Sequence, residues 1–132
     1  MIEENINNLE WLLDYEVIQS ARHRRFVALV MLSPKKSSEQ LLTRILAGMI
    51  RHSDTYFSIN GYVAVLMGET DRAGALMAVK RYQELVNGAI DVRYSVASFP
   101  DDVKETSKII NTAYRRLEAA HTLDSGAVVA EG

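Results

Sequence analysis

The chain contains no cysteine, which excludes a disulfide framework and thiolate chemistry. It also lacks a strong net charge, because 15 basic and 17 acidic side chains leave a formal charge of −2. Such a balance gives no field that would attract nucleic acid or anionic lipid nonspecifically. The N-terminal residues are acidic and polar, unlike a signal peptide, and no apolar run approaches membrane-spanning length. We therefore expect a cytoplasmic protein with no nucleic-acid or membrane partner.

The sequence also lacks the spacing of a metal site. His23, His52 and His121 are far apart, and none has a second histidine or a carboxylate pair at ligand spacing. No glycine-rich phosphate loop is present, and no strand-turn-helix elbow frames a serine. We therefore expect no metal site, no catalytic nucleophile and no cofactor.

Hydrophobic periodicity predicts the order of the elements. A chain of 132 residues with 48% hydrophobic residues suits one domain, residues 1–132. Ser38 and Thr70 are predicted to cap two of its helices. Helices are predicted at residues 2–22, 39–50, 71–86 and after 102, and strands at 25–32, 55–59, 62–67, 90–99 and, as a short edge strand, 127–130.

This order predicts an α+β sandwich with a split βαβ core of the ferredoxin-like, nucleotidyl-cyclase-like type. The sheet is expected to be mainly antiparallel, with helices packed on it and a long additional helix at the N-terminus. The predicted organisation is a leading helix over 1–24, a core over 25–123, and a short tail or edge strand over 124–132.

The leading helix is predicted to carry two apolar stripes. Ile2, Ile6, Leu9 and Leu13 form one with 4,3,4 spacing, which suits a partner helix. Because one stripe suffices for packing on the domain, the second must cover another surface. One possibility is that the helix contacts a second copy of the chain or another protein. The alternative is that the helix folds back along its own domain. The candidate interaction residues are Ile2, Ile6, Leu9, Trp11, Tyr15 and Ile18.

The middle of the chain predicts a β-hairpin. Two runs rich in β-branched and aromatic residues flank the pair Asn60-Gly61, whose residue types tolerate the positive φ angles of a type I′ turn. The tip, Asn60-Gly61-Tyr62-Val63-Ala64, resembles a degenerate signature loop of the GGDEF, or diguanylate cyclase, domain. That family has Gly-Gly-Asp/Glu-Glu-Phe there. Residues 13–22, 92–97 and 113–121 resemble other segments of the family in the same order, which implies its fold.

The resemblance also implies that the catalytic groups are missing. Joining two GTP molecules requires divalent cations held by carboxylates. The family takes a metal-ligand Asp from the end of its first strand, where this chain has Met31-Leu32-Ser33, and a phosphate-contacting Lys where it has His121. Its guanine-reading Asn and Asp have no counterpart in residues 33–38. We therefore expect a non-catalytic signalling module.

One ligand motif of the family is matched. Arg51-x-x-Asp54 stands before Asn60 at the spacing that the family uses for its inhibitory cyclic di-GMP site. A guanidinium and a carboxylate suit a guanine dinucleotide. The alternative is that the two residues pair with each other at a helix-to-strand corner. The sequence thus predicts a module that binds a protein partner or itself, with a cyclic di-GMP effector as the alternative and another enzyme as a third option.

Overall fold

The computed structural model describes residues 2–3, 11–13, 15, 26–35, 38–49, 51, 54–86, 89–104 and 106–132. Residues 11–13 and 15 are helical. No helix in these ranges is long and apolar enough to cross a membrane. The strands are β1 (Ile2–Glu3), β2 (Val27–Pro34), β3 (Asp54–Ile59), β4 (Tyr62–Gly68), β5 (Val92–Phe99) and β6 (Val128–Val129), and the helices are α1 (Glu39–Ala47), α2 (Arg72–Val86) and α3 (Thr106–Ala120).

The strands form one six-stranded sheet in the order β1-β3-β4-β2-β5-β6. The four longer strands pair antiparallel, whereas the two short outer strands pair parallel to their neighbours. The predicted α+β fold with a mainly antiparallel sheet is therefore confirmed. Each edge of the sheet is formed by a segment near one end of the described chain.

Strand β2 divides the interior into two cores. Its residues alternate between the two faces of the sheet, as the period of a strand requires, and all from 27 to 32 are buried. One face packs against α1 and α2 and the other against α3 and Leu13. From β2, the first core contains Ala28, Val30 and Leu32, and the second contains Val27, Leu29 and Met31.

A buried ion cluster fixes α3 against β5. Arg116 donates to Asp102 Oδ2 from Nη1 at 3.0 Å and to Oδ1 from Nη2 at 3.1 Å. The backbone N–H of Ser98 donates to the same carboxylate at 2.9 Å, and Arg72 at the start of α2 pairs with it. Burial raises the pKa of Asp102, but the hydrogen bonds from Arg116 and Ser98 outweigh it, so that the pKa lies below its usual value. The charged Asp102 side chain therefore connects α2, α3 and β5 through its contacts with Arg72, Arg116 and Ser98.

The prediction that the leading helix begins at Ile2 is wrong. Ile2 and Glu3 form β1, paired in register with Phe57 and Ser58 of β3. The outer edge of β3 offers unpaired backbone groups, and a strand there satisfies some of them. Helical periodicity carries no information about such pairing. Two further residues of the predicted first stripe, Ile6 and Leu9, lie outside the described residues, whereas the fourth, Leu13, is buried in the core beneath α3. The predicted second stripe consists of Trp11, Tyr15 and Ile18, of which Ile18 also lies outside the described residues.

Ser38 is the N-cap residue of α1, as predicted, but it makes no side-chain cap hydrogen bond. The predicted cap at Thr70 is wrong. The buried Thr70 hydroxyl donates instead to the Gly68 carbonyl, and the cap of α2 is Asp71, whose Oδ1 accepts from Gly74 N at 2.8 Å. Thr70 is one residue too early to cap a helix that begins at Arg72.

The predicted hairpin turn is confirmed. Ile59 pairs with Tyr62 across a two-residue connection, and φ is 51° at Asn60 and 83° at Gly61. Two positive φ angles are the mark of a type I′ turn, whose twist matches that of the flanking strands.

We expect Gly61→Ala to lower the free energy of unfolding by about 1 kcal/mol, because an L side chain is strained at positive φ. Gly48→Ala is the matched control. An added Cβ meets nothing within 4 Å at either position, but Gly48 has φ −81°. Urea denaturation of the three proteins measures the difference. Equal stability of the two variants would contradict the turn assignment.

Candidate functional site

The hairpin end of the sheet brings together polar side chains that are distant in sequence. Ser33 continues the alternation of β2, and its side chain lies on the α3 face of the sheet. His121 directly follows α3, and its backbone N–H bonds to the Leu117 carbonyl at 3.1 Å. Its Nε2 lies 2.7 Å from Ser33 Oγ, a hydrogen bond between residues 88 positions apart. Ser33 is 8% exposed, so the contact joins a buried hydroxyl to an exposed imidazole.

Two tyrosines complete this group. The ring of Tyr62, at the start of β4, lies 6.1 Å from that of Tyr114 at 59° and 6.4 Å from that of His121 at 46°, measured between centroids. Such tilted contacts are favourable for aromatic rings. Burial raises the pKa of Tyr114, and the Asn60 side chain opposes that shift. Ser33, Tyr62, Tyr114 and His121 are called the hairpin-end cluster below.

The hairpin-end cluster offers hydroxyl and imidazole groups but no carboxylate. The resemblance implies that the family's catalytic groups fall within residues 31–33 and 61–63 and at His121, and one residue from each of these places lies in the cluster: Ser33, Tyr62 and His121. No group of three or more His, Asp or Glu side chains that could hold a metal ion occurs in the described part of the chain. His23 and His52 lie outside that part.

The other residues of the signature loop have structural positions. Asn60 and Gly61 are exposed at the turn. Val63 is buried in the core beneath α1 and α2, and Ala64 in the core beneath α3. Because Val63 and Ala64 are buried, the loop contributes to the cluster through Tyr62 and through the side chain of Asn60, which is hydrogen-bonded to Tyr114.

Arg51 and Asp54 pair with each other at the opposite end of the hairpin. The Asp54 carboxylate accepts from Arg51 N at 3.2 Å, Nε at 3.4 Å and Nη2 at 3.2 Å. Arg51 Nη2 also donates to Thr70 Oγ1 at 2.8 Å. At about 3.3 Å per residue, the six residues of β3 place this corner roughly 17 Å from the turn. The structure therefore does not bring the Arg51–Asp54 pair and the hairpin-end cluster into one site.

The two members of the pair differ in accessibility. The side chain of Asp54 is 2% exposed and that of Arg51 53% exposed. A ligand can therefore reach the outer edge of the guanidinium directly, but not the carboxylate.

The leading segment exposes an aromatic pair. Trp11 is 66% exposed and Tyr15 53%, and their rings stack with centroids 6.3 Å apart and planes at 15°. Leu13, two residues from either ring, is fully buried in the core beneath α3. The segment thus packs on its own domain and presents Trp11 and Tyr15 outward.

Comparison with known proteins gives a match in structure and none in sequence. No family model matches the chain, and no curated protein matches it. The GGDEF domain of YfiN (TpbB) from Pseudomonas aeruginosa superposes with a TM-score of 0.88 over 98% of this chain and 97% of that chain, at 14% identity. The chain has the fold of a GGDEF domain. The fold predicted from the resemblance is thereby confirmed.

Two further solved structures of similar fold are informative because one contains a protein partner and the other cyclic di-GMP. The diguanylate cyclase SiaD of Pseudomonas aeruginosa, in complex with its activator SiaC, matches with a TM-score of 0.78 and 17% identity over 98% of this chain and 59% of that chain. A microbial GGDEF domain solved in an interaction with cyclic di-GMP matches with a TM-score of 0.81 and 11% identity over 98% and 94%. Both likenesses concern the fold.

Sequence reasoning missed Tyr114 and Thr70. His121, the residue after α3, is seven positions beyond Tyr114, which corresponds to about two helical turns. This spacing could have predicted that the two side chains lie on the same side of the helix. The local sequence around Thr70 predicts a helix cap, and no local pattern indicates that its hydroxyl accepts a hydrogen bond from Arg51, 19 positions away.

Proposed function

We propose that this chain is a signalling module of the diguanylate cyclase family that acts by binding and does not synthesise cyclic di-GMP. The observation that supports the proposal most is the hairpin-end cluster, where hydroxyl and imidazole groups lie in the segments to which the resemblance assigns the family's catalytic groups. Mg²⁺ prefers oxygen ligands and is usually held through one or two carboxylates together with substrate phosphates. None of the four residues of the cluster is a carboxylate.

The direct contact between Ser33 and His121 supports the same conclusion. Ser33 Oγ and His121 Nε2 are 2.7 Å apart and hydrogen-bonded, so each of these groups already has a partner within the protein. Neither is a carboxylate of the kind through which proteins usually hold Mg²⁺.

We expect the purified protein to form no cyclic di-GMP from GTP with Mg²⁺ or Mn²⁺. Chromatography and mass spectrometry of the nucleotides measure this, with an active cyclase run in parallel as the positive control. Turnover by this protein that disappears in the Tyr62→Ala variant would overturn the proposal.

The binding role that the structure supports best is self-association through Trp11 and Tyr15. Two large stacked rings are exposed there, and aromatic residues are enriched in interface cores. The complex of SiaD with its activator shows that a protein with this domain fold can have a protein partner.

We expect Trp11→Glu to weaken self-association at least tenfold, because the interface would have to bury an unpaired charge. Met77→Glu is the matched control, since Met77 is 63% exposed but lies on α2. Sedimentation equilibrium gives the dimer constants, and circular dichroism checks the fold. A wild-type protein that stays monomeric at high concentration would rule out the second copy as the partner, and equal loss in both variants would rule out this surface.

Cyclic di-GMP binding at Arg51 is the second candidate function. Arg51 is half-exposed, and Asp54 and Thr70 fix the direction of its guanidinium. A fixed guanidinium can fork onto a phosphate or onto the Hoogsteen edge of guanine. The GGDEF domain solved with cyclic di-GMP supports this ligand class.

For this function we expect cyclic di-GMP to bind at micromolar concentration and Arg51→Ala to weaken binding at least tenfold, since a charge-assisted hydrogen bond contributes about 1.5–3 kcal/mol. Arg93→Ala is the control, because Arg93 is also paired with an aspartate but on β5. Isothermal titration calorimetry measures both. The absence of binding at about 1 mM ligand would eliminate the effector function.

A further inference from the structure

A cavity of about 240 Å³ lies between the end of α2, the start of β5 and the turn before β6. Val86, Ile90 and Val92 form its apolar wall, and Gln83, Ser125 and Gly126 form its polar wall. Val92 belongs to the core beneath α1 and α2, so the cavity lies on the face of the sheet opposite Ser33. It is therefore separate from the hairpin-end cluster.

Hydrogen bonds hold the walls of the cavity in place. Gln83 Nε2 donates to the Gly126 carbonyl at 2.6 Å, and Gly126 N donates to the Val92 carbonyl at 2.7 Å. Tyr94 N donates to the Ala127 carbonyl at 2.9 Å, which ties the turn to β5. The space is thus preformed, and a ligand would not have to order its walls.

The polar groups of the cavity include both acceptors and donors. One N–H of Gln83 Nε2 is engaged with the Gly126 carbonyl, which leaves the second N–H as a donor and Oε1 as an acceptor. The Ser125 hydroxyl is hydrogen-bonded to the Asp91 carboxylate, which leaves its oxygen lone pairs. Tyr94, which also lines the cavity, is fully buried, and its hydroxyl has no hydrogen-bond partner in the described structure.

Charge and size restrict the ligand further. No lining side chain is ionised at neutral pH, so a charged ligand would be desolvated without a counter-charge. A water molecule occupies about 30 Å³ in the liquid, so the volume equals roughly eight waters, or a ring compound of about ten non-hydrogen atoms. The apolar wall of Val86, Ile90 and Val92 suits the hydrocarbon body of a ring compound.

We propose that this cavity binds a small uncharged ring compound with an apolar body and one N–H or O–H donor, which Gln83 Oε1 accepts. The site is independent of the proposed binding functions of the chain. Its walls include the turn that leads into β6, so occupancy would stabilise that turn against α2.

Indole is the first probe, because it is a neutral ring compound with nine non-hydrogen atoms and one N–H. Titration of the full chain, followed by NMR, is expected to give saturable binding with a dissociation constant of about 1 mM or tighter. Val86→Phe should fill the cavity and weaken binding at least tenfold. Leu85→Phe is the matched control, because Leu85 is next to Val86 in α2 but is 47% exposed and does not line the cavity. It should leave the affinity unchanged.

Indene, which has C–H groups in place of the N–H of indole, tests the donor. The wild-type protein should bind indole at least severalfold more tightly than indene, and Gln83→Met should remove that preference. The comparison of indole with indene still tests the proposal if the Val86→Phe variant fails to fold. No saturable binding at about 5 mM indole, undiminished binding by a folded Val86→Phe variant, or equal wild-type affinity for the two probes would each overturn the proposal.

Discussion

The pairing of β2 with a strand on each side is the constraint on which the rest of the structure depends. Both of its edges are hydrogen-bonded, to β4 and β5, and both of its faces are buried. The strand period of two therefore decides which helices each residue meets. A register slip of one residue would exchange the two cores and turn Ser33 away from α3. The position of the hairpin-end cluster is thus a consequence of how the centre of the sheet packs.

The same geometry explains how a fold can persist while its chemistry changes. The end of β2, the start of β4 and the end of α3 meet because the sheet and α3 pack together, whatever side chains they carry. In this chain the meeting point holds Ser33, Tyr62 and His121. A GGDEF-domain fold therefore does not by itself imply cyclase activity, and the argument about function has to come from the site.

The sequence predicted the features that depend on neighbouring residues and missed those that depend on distant ones. The Asn60-Gly61 turn and the strands beside it follow from local residue types, and the structure agrees within a few residues. The pairing of Ile2 with Phe57 could not be predicted, because an edge strand of two residues has no period to detect. The support of Arg51 by Thr70 and the walls of the cavity also join distant parts of the chain.

The difference in exposure between Arg51 and Asp54 decides how this pair can act on a ligand. Asp54 is almost completely buried and accepts three hydrogen bonds from Arg51. Turning it toward a ligand would break those bonds and leave Arg51 held only by Thr70, which is costly for a buried carboxylate. Asp54 could therefore act on a ligand at this corner only through Arg51, by fixing the exposed edge of the guanidinium. That edge carries only donors, so the ligand groups that it could bind are acceptors, such as phosphate oxygens or the Hoogsteen edge of guanine.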